Sequence, residues 1–246
     1  MKKVLLLCWF FSILVFACPS WASLVTLYSG EYTGSELDQL VTDGKASYPT
    51  ETPTINGNRL DFVNGTYRGM IYRLPIVAEG DMTNLTDLVV KISLDWDMLS
   101  NDNDLSFGIS DQSQLLGACV GDTQEYWAVN GSDDGTTFKS SWIPFGSFNV
   151  SMPTTLTIEV GSESSNLILV NQNGESTSFN IDRDFDVNKK IDFFLGRDNI
   201  YEEYGIKSLK IEAQAQTTSP VPAPAASLLL FAGLGGLLLT RSNRKK

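Results

Sequence analysis

The stretch DLVVKISLDWDM, residues 87–98, alternates Val90, Ile92, Leu94 and Trp96 with Lys91, Ser93, Asp95 and Asp97. Successive side chains of a β-strand point to opposite faces, so a period of two describes a strand with one face buried and one wet. On a helix the same residues would be scattered around the circumference, and no apolar stripe would form. One long strand of this kind needs neighbours to carry its ladder, and the flanking sequence supplies them.

Working outward, short β-rich runs recur at Leu24–Tyr28, Arg59–Val63, Met70–Leu74, Leu105–Ser110 and Tyr126–Val129. They continue at Leu156–Val160, Leu167–Val170, Ser176–Ile181, Ile191–Leu195 and Ile206–Glu212. Asn64-Gly65 and Asn173-Gly174 separate adjacent runs, and both residue types tolerate the positive φ of a tight hairpin. No stretch between the termini sustains an apolar 3.6-residue period over three turns. Many strands with regular turn signals predict an all-β fold, a two-sheet antiparallel jelly-roll sandwich. About 190 residues suffice for one such domain and one core.

The ends of the 246-residue chain have a different character. Lys2 and Lys3 precede the apolar run Val4–Ala17, and Ser20-Trp21-Ala22 supplies small residues at the −3 and −1 positions. Residues 1–22 are therefore expected to be a signal peptide cut before Ser23. Val15-Phe16-Ala17-Cys18 is the rival reading, a lipoprotein box with Cys18 as the modified residue. At the other end, VPAPA (Val221, Pro222, Ala223, Pro224, Ala225) opens an uncharged stretch, 225–240, followed by Arg241, Arg244, Lys245 and Lys246. Basic residues beside an apolar span stay on the inner side of a membrane. The predicted layout is leader 1–22, β-sandwich 23–215, linker 216–220 and membrane-inserted tail 221–246.

That tail resembles the PEP-CTERM sorting signal in its V-P-x-P-A form, over roughly the last 26 residues. Ala223 stands where the commonest form carries Glu. The resemblance implies a Gram-negative bacterium and an exosortase-type membrane protease as partner. It also implies transient inner-membrane anchoring, then release to the cell surface or extracellular matrix. An ordinary tail anchor is the plainer alternative. The order of strands between the termini resembles the concanavalin A-like (laminin G-like) group. Asn56-Gly57-Asn58-Arg59-Leu60-Asp61-Phe62 comes early and the long strand from Asp87 follows. Phe193-Phe194-Leu195-Gly196 precedes the closing strand Ile206–Ile211. A galactose-binding-like jelly roll is the alternative fold.

Charge and composition exclude several function classes. Residues 23–215 hold all 29 acidic residues against 12 of the 18 basic ones, leaving this part 17 charges negative. Such a surface repels nucleic acid phosphates, so no nucleic-acid partner is expected. The chain has no histidine, which removes Ser-His-Asp and Cys-His catalysis and His-ligated zinc. Cys119 would be the lone cysteine of the mature chain, and its apolar setting predicts a buried small hydrophobe. A retaining glycosidase needs two carboxylates about 5 Å apart, commonly spaced E-x-D-x-x-E on one strand of this fold group. That spacing does not occur, and no enzyme is expected.

Three constellations remain. Asp95, Asp97, Asp102 and Asp104, with Asn101 and Asn103, collect hard oxygens on one loop, the chemistry calcium requires. Asp182, Asp184, Asp186 and Asn188 form a second oxygen-rich loop, although Asp and Asn also build ordinary turns. Tyr126, Trp127 and Trp142 are flat rings on which sugar C–H faces stack, flanking a predicted polar turn at residues 130–135. The alternative is that these rings fill the core, as aromatics commonly do. The expected role is a non-catalytic envelope or extracellular-matrix protein that binds or organises surface exopolysaccharide. A structural or adhesive matrix protein that contacts other proteins is the second reading, and a divergent polysaccharide-active enzyme the third.

Overall fold

The computed structural model describes residues 23–46, 53–63, 69–99, 105–120, 126–133, 138–144, 154–161, 164–181, 185–197 and 203–217. Fifteen strands are assigned among them: β1 (Leu24–Thr33), β2 (Lys45–Ala46), β3 (Thr54–Asn56), β4 (Arg59–Phe62), β5 (Gly69–Val77), β6 (Leu85–Met98), β7 (Leu105–Ser110) and β8 (Gln114–Val120). They continue as β9 (Tyr126–Asp133), β10 (Phe138–Pro144), β11 (Thr154–Val160), β12 (Ser165–Val170), β13 (Ser176–Ile181), β14 (Ile191–Arg197) and β15 (Tyr204–Thr217). One short helix, α1 (Leu37–Asp43), follows a 3-10 turn at Gly34–Glu36.

Two sheets result. One runs β13-β12-β11-β6-β15-β4-β3 with β1 also on β15, and the other runs β10-β9-β8-β7-β14-β5-β2. Every pairing with a defined register is antiparallel. The predicted two-sheet antiparallel sandwich is the observed one. β6 lies centrally in the first sheet, and its Leu88, Val90, Ile92, Leu94 and Trp96 are all buried. Phe107 and Ile109 of β7, and Phe193 and Leu195 of β14, meet them in one hydrophobic cluster. Burying each large side chain contributes about 1.5–3 kcal/mol before chain entropy is counted, so the strand read first in the sequence is also the spine of the core.

Residues 24–216 form one compact unit. Residues 1–23 and 217–246 form a second, in which only Ser23 and Thr217 are described. Thr217 N–H donates to the Ser23 carbonyl at 3.1 Å, and Ser23 N–H to Thr217 Oγ1 at 3.2 Å. Among the described residues no helix is long and apolar enough to cross a membrane. The predicted leader, 1–22, and the tail residues Val221–Ala225, Arg241, Arg244, Lys245 and Lys246 lie outside the described residues.

Three local features differ from the sequence expectation. The β12–β13 loop is a five-residue connection in which only Gly174 is left-handed, at φ 78°. Asn171 organises it instead: its Oδ1 accepts N–H bonds from Asn173 and Glu175, both at 3.0 Å. Residues 130–133 form the end of β9 rather than a polar turn, because β8 and β10 pair with them on both sides. Pro75 sits inside β5, where it lacks an N–H to donate, and the β5–β14 register shifts beside it at Ile191/Asp192.

Strands β2, β3, β8 and β10 fall outside the predicted runs, and helix α1 has no forerunner in the periodicity either. Two turns are too short to show a stripe, and tertiary contacts hold it. Leu37 and Leu40 are fully buried, and the buried Tyr72 hydroxyl of β5 donates to the Leu40 carbonyl. Tyr28 and Tyr32 on β1 share a 2.5 Å hydroxyl contact, and Tyr32 donates to Asp43 Oδ2 at 3.2 Å. Burial raises the phenol pKa of Tyr28, Tyr32 and Tyr72 above the ordinary 10.0, with the Asp43 charge adding to each.

A raised folded-state pKa means that the unfolded chain ionises first as pH climbs. The stabilisation from these phenols is complete below pH 10 and declines above it. For Tyr72, each further pH unit costs about 1.4 kcal/mol until the folded form itself titrates. Urea melts between pH 9 and 12 are expected to show this loss, and Tyr72→Phe to flatten it. Absorbance at 295 nm showing all eight tyrosines ionising near pH 10 in the folded protein would contradict it.

Candidate functional site

β15 changes partners along one edge. Tyr204–Ile206 pair with β4, whereas Ser208–Gln216 pair with β1. The buried alternation slips at the same place, from Tyr204 and Ile206 to Leu209 and Ile211, leaving Lys207 and Ser208 outside the core. An open cleft of about 500 Å³ lies at this junction, lined by Gly34, Asn56, Asn58, Arg59, Asp97 and Lys207. Gly34 follows the last residue of β1. Asn56 and Arg59 face each other across the β3–β4 hairpin, whose turn begins with Gly57 at φ 63°.

The cleft is built on an ion-pair network. Arg59 grips the buried Asp61 with two bonds, Nε to Oδ1 at 2.5 Å and Nη2 to Oδ2 at 3.1 Å. Asn56 Nδ2 donates to the same carboxylate at 3.1 Å. Asp97 stands between the two cations, 2.7 Å from Lys207 Nζ and 3.5 Å from Arg59 Nη1. Lys207 also reaches Asp95 Oδ1 at 3.5 Å. Hydrogen bonds to Asp61 and to Asp97 raise the pKa of Arg59 and of Lys207 respectively, so both stay charged at any ordinary pH.

Gly205 makes this arrangement possible. A Cβ there would collide with the Arg59 side chain and the Asp61 carboxylate, which lie across its backbone. Gly205→Ala is therefore expected to displace Arg59 and destabilise the fold by about 1–3 kcal/mol, as overpacking does. Thermal denaturation beside the Ser208→Ala control measures it. A Gly205→Ala protein as stable as the control would mean that the arginine has room to move aside.

The predicted calcium ligands fall differently. Asp95 and Asp97 lie on the wet face of β6 and are engaged by Lys207 and Arg59. Asp102 and Asp104 lie outside the described residues. In the second loop, Asp182 and Asp184 are likewise outside them, while Asp186 Oδ1 accepts Asn188 N–H at 3.1 Å as a turn residue does. Its own N–H donates to the buried Asp111 at 2.9 Å. Among the described residues no group of three or more His, Cys, Asp or Glu is arranged to hold a metal ion.

The ladder also positions the aromatic trio. Across the seven-stranded sheet, Gly196, Ser106, Cys119, Trp127 and Pro144 form one register row. Phe194, Gly108, Gly117, Val129 and Trp142 form the next. Directly paired residues share a face, so Trp127 and Trp142 are placed on the face opposite Phe107, Ala118 and Phe193, which belong to the core cluster. Tyr126 pairs with Val120 and is placed on the core face. Ser106, Ser110, Cys119 and Phe194 lie on the outer face and are nevertheless buried. Asp192, on the same face, is buried with Lys190 Nζ at 2.9 Å and Arg73 Nη1 at 3.9 Å.

Sequence reasoning missed Arg59, Asp61, Lys207, Asn56 and Asn58 as a group. A signal was present in Arg59-Leu60-Asp61-Phe62, whose polar positions alternate with apolar ones. The pairing to Lys207 and Asp97, far along the chain, had no local trace.

No protein-family model matches the chain and no curated protein is similar to it. Among solved structures, it is similar to peanut lectin with a 9mer peptide, at 12% identity and TM-score 0.48, over 80% of this chain and 100% of that one. It is similar to a legume lectin-like domain from Entamoeba histolytica, at 10% identity and TM-score 0.49, over 77% and 98%. The exoplasmic/lumenal domain of VIP36 in its Ca2+/Man3GlcNAc-bound form is a third, at 8% identity and TM-score 0.45, over 81% and 94%.

Proposed function

We propose that this chain is an exported, non-catalytic β-sandwich that binds surface exopolysaccharide. In this reading the leader 1–22 and the VPAPA tail deliver it, and an exosortase-type protease releases it to the cell surface or matrix. The observation that carries the binding reading is the register of Trp127 and Trp142 on one outer sheet face. They lie on adjacent strands offset by two residues, and such diagonal neighbours are about 7–8 Å apart. That spacing suits successive rings of a linear glycan.

Calcium is proposed only as an accessory, at the Asp95–Asp104 loop. Its binding there requires Asp97 to exchange Lys207 for the metal. The test is titration calorimetry of the protein against the producing cell's own exopolysaccharide, with calcium and then with chelator. Saturable binding in both buffers supports the sugar reading without metal. Binding abolished by chelator adds the metal. No heat in either buffer ends the polysaccharide reading and leaves the structural, protein-contacting role.

A further inference from the structure

We propose that the cleft at Arg59, Asp97 and Lys207, on the sheet opposite Trp127 and Trp142, is a second site that takes a vicinal diol of a neutral sugar. The argument rests on its balance of donors and acceptors. Three carboxylates, Asp61, Asp95 and Asp97, face two cations, Arg59 and Lys207. An incoming anion meets Asp97 between the cations, and an incoming cation must first displace Lys207 from its 2.7 Å contact. A hydroxyl does neither, since it donates to a carboxylate and accepts from an ammonium or guanidinium at once.

The spare capacity is arranged for a pair of hydroxyls. Lys207 Nζ has three N–H bonds and two carboxylate partners, so one remains. Arg59 spends Nε and one Nη2 proton on Asp61 and reaches Asp97 from Nη1 at only 3.5 Å. Asn56 keeps its side-chain carbonyl, and Asn58 is exposed at the rim. Asp61 and the Gly205 backbone hold the guanidinium in place, so the donors are set before a ligand arrives. Among the described residues no aromatic ring lines the cleft, so its grip is by hydrogen bonds and a dissociation constant on the order of millimolar is expected. Two sites on opposite sheets would let one domain bridge two glycan chains. That the sugar comes from a polysaccharide rests on the reading above.

The test is an amide chemical-shift titration of the full 246-residue chain in a zwitterionic, sugar-free detergent. The probes are methyl α-mannoside, methyl α-glucoside, glucuronate and calcium chloride. The expected result is saturable shifts at residues 56–59, 95–97 and 205–207 with a neutral glycoside, weakened at least tenfold in Asp97→Ala. Signals elsewhere should be unchanged in that variant, which shows that it folds, and Asp97→Asn should retain part of the binding. No shift in the cleft at about 100 mM neutral glycoside overturns the proposal. So does a response there to glucuronate or calcium but not to the neutral sugars. Calorimetry with the exopolysaccharide on the same sample separates the two readings: binding that persists without cleft shifts removes only the second site.

Discussion

Replacing Trp96 by alanine is expected to lower the unfolding free energy by about 3–5 kcal/mol, the range for deleting a buried aromatic. Trp96 is 5% exposed near the end of β6, edge-on to Tyr204 with ring centroids 6.2 Å apart. Tyr204 in turn lies 5.3 Å from Phe62, which meets Tyr72 at 6.0 Å, so the indole closes a chain of four rings between the sheets. Its removal leaves a cavity where β6, β15, β4 and β5 converge. Trp96→Phe is expected to cost much less. The indole Nε1 is buried with no hydrogen-bond partner among the described residues, so phenylalanine removes an unsatisfied donor along with part of the volume. Urea unfolding followed by circular dichroism measures both. An alanine variant within about 1 kcal/mol of the parent would mean that neighbouring side chains refill the site.

Trp127→Ala and Trp142→Ala are each expected to weaken exopolysaccharide binding about tenfold or more, and the pair together to abolish measurable heat. Tenfold corresponds to about 1.4 kcal/mol, modest for an aromatic anchor at an interface. Because the two positions share a face apart from the inter-sheet core, the variants are expected to keep the parent's far-ultraviolet spectrum. Tyr126→Ala, on the core face, is expected to act on stability instead of affinity. If both tryptophan variants bind as the parent does, the sugar contacts another surface. If both unfold, Trp127→Phe and Trp142→Phe, which keep a flat ring, are expected to restore the fold and most of the affinity.

The strands of strong alternation were legible in the sequence, and so was the wet face on which Asp95 and Asp97 lie. β8 was harder. Leu115-Leu116-Gly117-Ala118-Cys119-Val120 is apolar throughout because both its faces are covered, so no period separates strand from helix. β10 begins Phe138-Lys139-Ser140-Ser141, with no alternation to read. Helix α1 was invisible because two turns acquire their stability from Tyr72 and the core. Asn130-Gly131 read as a turn because its residues favour one locally, and pairing on both sides overrode that preference.

From the sequence alone came the all-β class, the single cysteine between residues 23 and 215, the absence of histidine, the acidic balance and the distinct character of both termini. Each depends on composition or on a short-range period, which neighbouring residues carry by themselves. Only the tertiary structure brought Lys207 to Asp97 and Arg59, placed Gly205 beneath the guanidinium, and set Trp127 and Trp142 on one face with Tyr126 on the other. Those facts depend on strand register and on β15 exchanging β4 for β1. Register is set by which faces are buried across the whole sandwich, so residues as distant in sequence as Leu60 and Ile206, or Asp97 and Lys207, become partners through a ladder that no local stretch encodes.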